Sequence, residues 1–200
     1  ASQLHGNFTK RINPRTGRTG HDVWLQRLDE ITAGSKEEFV ERFRRKYTTP
    51  PPIWIAIELW DFGLLSYFVS GMQHADVSKL ATSYGIPRAA LLQSWVRNIN
   101  QVRNVCAHHS RLWNRVMTED PKRPRRGEVM LLDHLADPQL STSRVYAAAA
   151  ITQYFMRVVS PQSTWGARFK THIATFPSGP GIVLNHAGFP KDWEKLPLWS

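Results

Sequence analysis

Two hundred residues, at roughly 150 per domain, give one main domain with appendages. Cations outnumber acids 26 to 16, a formal charge of +10 and an isoelectric point near 10.2, which directs attention to RNA, DNA or an anionic surface as partner. A hydrophobic content of 42% with eight tryptophans argues against disorder, and one cysteine excludes a disulfide framework or a thiolate zinc cluster.

Residues 1–20 hold Lys10, Arg11, Arg15 and Arg18, no acid, and Pro14, Gly17 and Gly20. They read as a basic, weakly structured lead-in. No charged-then-apolar leader opens the chain, and the first residue is Ala, as expected of a processed or trimmed piece of something longer. Val23, Trp24, Leu25, Leu28 and Ile31 fit a short amphipathic helix over 22–31. Ser35 with Glu38 three residues on is a capping-box pattern opening a helix through Tyr47. Pro50-Pro51-Pro52 stops it. The nearly continuous apolar run from Ile53 to Met72 predicts one buried helix; Glu58 and Asp61 inside it argue against a membrane span. Next come a short helix over 77–84, a turn at Gly85-Ile86-Pro87, and a long helix from Arg88. That helix is broken by Pro121 and Pro124 in the basic run Lys122-Arg123-Pro124-Arg125-Arg126-Gly127. Ser141–Val159 predicts a further helix, and beyond Phe176 the Pro/Gly punctuation predicts an irregular tail anchored by Trp193 and Trp199. The expected class is all-α, divided as lead-in 1–35, bundle 36–175 and tail 176–200.

The stretch from Trp95 to Arg115 carries the chemistry: WVRNINQVRNVCAHHSRLWNR. At about 100° per residue, Leu92, Trp95, Ile99, Val102, Cys106 and Trp113 fall on one side. Asn100, Asn104, His108, Arg111 and Arg115 fall on the other, with Arg97 above them. No acid occurs between Trp95 and Met117. Arginine and asparagine donate hydrogen bonds to phosphate oxygens, and histidine as a class moves protons near neutral pH. RNA supplies its own nucleophile, the 2′-OH. A site needs only to deprotonate it, protonate the 5′-oxygen leaving group and stabilise charge at phosphorus, without a metal. The Lys122–Arg126 loop fits as a guide for an RNA strand, or as a solvated run. Glu58, costly to bury unpaired, is expected to pair with an arginine such as Arg103. Cys106 and His109 read as packing residues, which leaves Cys106, His108 and His109 a poor metal site, and no cofactor is expected.

Arg103-Asn104-x-x-x-His108 resembles the R-x4–6-H motif of HEPN ribonucleases. The wider string RNVCAHHSRLWNR is similar to the Abi-like branch linked to abortive infection, the bacterial anti-phage response. Supporting segments are PPIWIAIELWDFGLLSYF at 51–68, YGI and LLQSWV within 84–96, and GFPKDWEKLPLW at 188–199. The resemblance runs from about residue 21 and implies a HEPN-like bundle of four or five main helices with an irregular C-terminal tail. It further implies a homodimer with a composite, metal-independent site for cutting RNA, a cytoplasmic location, and an N-terminal portion ahead of residue 1. In that reading His108 is the general acid/base, Arg103 stabilises transition-state charge and Asn104 orients them. Arg97, Asn100, Arg111, Arg115, Lys122, Arg123, Arg125 and Arg126 bind RNA, and Glu58 supports. Arg103 and His108 lie about 140° apart on an ideal helix. They converge if Arg103 curls round, the helix is distorted or a second subunit completes the site.

Two other readings stand beside this one. The same fold could hold a structured or regulatory RNA without cutting it, and a restraining RNA or antitoxin is a possible partner in either case. Residues 77–97 also resemble a helix-turn-helix, although the second helix would offer Ala89, Ala90, Leu91, Leu92 and Trp95 to DNA, a face poor in base-reading groups.

Overall fold

The structure is a computed structural model that describes residues 4–47, 49–177 and 179–200. Residues 1–3 of the expected lead-in and Ser178 of the expected tail lie outside the described residues. The fold class is all-α. The strands among the described residues are a two-residue antiparallel pair, β1 (Ile12–Asn13) and β2 (Arg18–Thr19), with Ile12 opposite Thr19. Contacts gather into two units, one ending at Asp76 and the other spanning Val77–Ser200.

In the first unit the lead-in is ordered into α1 (Gly6–Lys10) and the β1–β2 hairpin. A reciprocal cap then opens α2 (Gly20–Gly34): Asp22 N–H donates to Thr19 Oγ1 at 3.1 Å, and Thr19 N–H donates to Asp22 Oδ2 at 3.0 Å. Trp24 fixes α2 to α5 (Phe62–Gly71). Its indole N–H donates to Leu64 O at 3.2 Å, and its ring meets Trp60 edge-on at 5.2 Å. This aromatic anchor is why the first 35 residues belong to one body with α5. The expected Ser35–Glu38 capping box does not form. Ser35 Oγ accepts from Glu37 N–H at 3.2 Å, and Glu37 takes the N-cap of α3 (Glu38–Lys46).

The apolar run from Ile53 is not one helix either. It divides into α4 (Ile53–Ala56), a 3-10 turn Ile57–Leu59 and α5. Asp61 makes the division, since its Oδ1 accepts from Leu64 N–H at 2.6 Å as the N-cap of α5. A carboxylate in that role ends one helix and starts the next, which hydrophobicity alone does not reveal.

Helix α6 (His74–Ser83) continues across the division into the second unit, where α7 (Ala89–Ala107) and α8 (Val145–Val159) form the centre. Trp95, fully buried, meets Tyr154 and Phe155 of α8 edge-on, and the buried run Ala147–Ala150 lets the backbones approach. Helix α8 starts at Val145 rather than Ser141, because the preceding residues serve another segment: Met117 N–H donates to Ser143 O at 2.8 Å. Helix α9 (Trp165–Ala174) and three 3-10 turns close the unit. Phe189, Trp193 and Trp199 pack against the buried Tyr146 and Phe169 stacks on Trp199, while Arg157 donates to Pro197 O and Lys170 to Trp199 O. The tail is thereby joined to α8 and α9.

Candidate functional site

The two halves of α7 use their polar residues differently. In the first half the chain beyond the helix runs back along it and is fixed by side chains from the helix. Asn98, with no exposure, donates from Nδ2 to Glu119 O at 2.7 Å. Gln101 accepts from Glu119 N–H at 2.9 Å and donates to Thr118 Oγ1. Trp95 Nε1 donates to Lys122 O at 2.9 Å, Ser94 Oγ accepts from Lys122 N–H at 3.0 Å, and Arg88 holds Glu128 at 2.7 Å. These side chains replace the ladder that an irregular segment lacks. Arg97 lies 3.5 Å from Glu119 Oε2 in a half-exposed ion pair, and Asn100 is half-buried with its Oδ1 enclosed. Both are expected from the sequence on an RNA face; the ion pair gives Arg97 a structural partner, whereas Asn100 Oδ1 is enclosed without a hydrogen-bond donor.

The C-terminal end is built otherwise. Helix α7 stops at Ala107, short of the long helix that the sequence predicts. His109 N–H donates to Cys106 O at 3.0 Å and Ser110 N–H donates to Val105 O at 3.0 Å. That pair of bonds is a Schellman closure with His109 in the left-handed position at φ 51°. Glycine ordinarily fills this position, and a histidine there costs about 1 kcal/mol or more. With neither glycine nor proline to mark it, the stop is hidden in the sequence. The periodicity that puts Cys106 and His109 toward the core therefore fails at this turn, and both are exposed.

Arg103 and His108 are also exposed, while Asn104, between them on the chain, is half-buried. Arg103 donates through a terminal guanidinium nitrogen to Asn104 Oδ1 at 3.0 Å, and Asn104 O accepts the His108 N–H at 3.0 Å. Asn104 thus bonds the arginine with its side chain and the C-cap histidine with its backbone. His108 itself has left helical geometry (φ −90°, ψ 13°), so the 140° separation of an ideal helix does not describe it. The negative end of the α7 dipole also lies here, where it favours cations. Arg111 and Arg115 are exposed beyond the turn, off the helix on which the sequence reading puts them. Trp113 lies half-buried against Phe176 and His186.

The basic loop is also of two kinds. Lys122, Arg125 and Arg126 are exposed, whereas the Arg123 guanidinium donates to Leu135 O at 3.1 Å, to Asp137 O at 2.7 Å and to Leu140 O. Arg123 therefore fastens the 135–140 turn and is withdrawn from the set expected to meet RNA. Glu58 is exposed within its 3-10 turn, so the burial that called for an arginine partner is absent. The surface that a helix-turn-helix would turn to DNA is in the core, since Ala89, Leu91, Leu92 and Trp95 are buried. Among the described residues, no group of three or more His, Cys, Asp or Glu side chains is placed to hold a metal ion. No helix among them is long and apolar enough to cross a membrane.

Comparison with curated proteins and with solved structures finds no match to this chain. The model of one family, described as Abi-like protein, matches residues 2–114, a span that ends just beyond the His108–Ser110 turn. More than half of the sequence lies within that match, and the chain belongs to the Abi-like protein family, whose name links it to abortive-infection defence.

Proposed function

We propose that this protein is an endoribonuclease of the HEPN type, cutting RNA without a metal ion in bacterial anti-phage defence. The observation that carries the reading is the Arg103–Asn104–His108 group at the end of α7, with Arg103 and His108 exposed on either side of the half-buried Asn104, in a stretch free of acids. In the proposed reaction the 2′-oxygen attacks the adjacent phosphorus and the bond from phosphorus to the 5′-oxygen breaks. A histidine takes the 2′ proton and an imidazolium returns one to the leaving oxygen. The products are a 2′,3′-cyclic phosphate and a 5′-OH. Arg103 stabilises charge on the phosphoryl oxygens while Asn104 holds the guanidinium in place. One imidazole serves one end of the transfer at a time, so a second copy bringing its own His108 would complete the site. We therefore include a cytoplasmic homodimer in the proposal. Arg111, Arg115, Lys122, Arg125 and Arg126 supply exposed charge for the RNA backbone.

The test is cleavage of single-stranded RNA in EDTA by the parent, His108→Ala and Arg103→Ala. Loss of about 10²–10⁴-fold in rate in both variants is expected. Equal activity in all three removes the assignment, and loss on chelation points to a metal mechanism. RNA retention without turnover by the parent would favour a protein that holds a regulatory RNA.

A further inference from the structure

A second polar cleft lies in the second unit, built by residues 126–196 and so wholly outside the span matched to the Abi-like family. Its volume is about 410 Å³, within the range of pockets that enclose one small molecule. Three kinds of group line it. Arg126 and Lys191 bring positive charge, and neither takes part in an ion pair among the described residues. Gln139 and Asn185 bring side-chain amides, each with a donor and an acceptor, the pairing that suits the edge of a nucleobase. Leu140, Pro190 and Leu196 bring an apolar surface.

Two acids, Asp133 and Asp137, also line the cleft; each gives one carboxylate oxygen to a turn and keeps its negative charge. Asp133 Oδ1 accepts from Gly127 N–H at 2.5 Å, and Asp137 Oδ1 accepts from Gln139 N–H at 2.9 Å. His134 adds a donor. The Trp199 indole can only donate, so Tyr146 oxygen accepts from it at 3.4 Å. With the Tyr146 hydroxyl donating to His134 Nε2 at 2.9 Å, Nδ1–H is the one ring donor of this cleft-lining residue. A bare anion would use the two cations and leave the amides and apolar surface idle, and a divalent cation would meet Arg126 and Lys191.

We infer that this cleft binds one nucleoside monophosphate unit. The base lies on Pro190 and Leu196 with its edge toward Gln139 and Asn185, and the phosphate lies between Arg126 and Lys191. The unit could be a free mononucleotide or one residue of an RNA strand. The inference does not depend on His108 cutting RNA, and its test reads binding alone.

The experiment is calorimetric titration of the whole chain with the four nucleoside 5′-monophosphates, inorganic phosphate and a short single-stranded 2′-O-methyl RNA, which lacks the 2′-OH needed for cleavage. Parent, Lys191→Ala and Asn185→Ala are compared, with unfolding midpoints confirming that both variants fold. Saturable binding of a mononucleotide, weakened about tenfold by each substitution, is expected and assigns a free-nucleotide site. Binding of RNA but no mononucleotide, with the same loss in Asn185→Ala, assigns a strand subsite. Phosphate binding as tightly as any nucleotide overturns the inference, as does binding of RNA that is indifferent to Asn185→Ala. The absence of binding to all three kinds of probe overturns it too.

Discussion

The two halves of α7 draw on the same residue types and use them for different ends. Over 94–101 asparagine, glutamine and arginine are turned onto the returning segment and replace its missing backbone partners. Over 103–109 arginine and histidine are exposed at a turn closed by a residue in a strained conformation. An amide in the first half is a structural part, so deleting it costs folding. A guanidinium or imidazole in the second half supports little around it, so deleting it leaves the fold in place. Strain stored in a turn is also found where a surface has work besides folding.

The largest effect expected from this contrast is on catalysis. His108→Ala reduces RNA cleavage by about 10²–10⁴-fold and leaves the unfolding midpoint near that of the parent, checked by pairing a cleavage assay with thermal melting. Next comes the one basic-loop arginine that belongs with the structural half. Arg123→Ala leaves the carbonyls of Leu135, Asp137 and Leu140 without their donor and lowers stability by about 2–3 kcal/mol in urea unfolding. Asn98→Ala, which removes the buried donor to Glu119 O, costs about 1–3 kcal/mol in the same measurement.

The pH response provides a sharper view of the aromatic region around Tyr146. Burial pushes His134 down from its ordinary 6.5 to about 4, against the opposing pull of Asp133, and raises the Tyr146 hydroxyl. The folded form thus keeps His134 neutral where the unfolded chain would protonate it. This contribution to stability is complete above pH 6.5 and is lost as pH falls from there to about 4. The melting temperature therefore declines across that window, and His134→Phe flattens the decline. The smallest effect is expected at the turn itself. His109→Gly relieves the positive φ and raises stability by about 0.5–1 kcal/mol, measurable by urea unfolding; a decrease would mean that the imidazole makes a compensating contact.

The sequence conveys the helical class and much of this contrast, although not where one half passes into the other. Hydrophobic periodicity locates α2, α7 and α8, and the acid-free Arg/Asn/His stretch draws attention to the end of α7. What escapes are interruptions made by single polar residues. Asp61 caps a helix inside an apolar run, and His109 closes one in a conformation usually left to glycine. Pattern reading extends a period until Gly or Pro stops it, which makes α7 too long and assigns Cys106 to the core. Asn98 and Gln101 escape for a different reason. A polar residue that satisfies a distant backbone looks, in sequence, like one that faces solvent. Arg123 shows the same ambiguity, since four cations in five residues do not disclose that one of them clamps a turn.

A crossed comparison of His108→Ala with Asn98→Ala, reading RNA cleavage in EDTA and unfolding free energy on each, separates the two halves of α7. His108→Ala is expected to lose cleavage at parental stability, while folded Asn98→Ala loses stability and still cleaves. A His108→Ala protein that cuts RNA as the parent does would contradict the role proposed for His108.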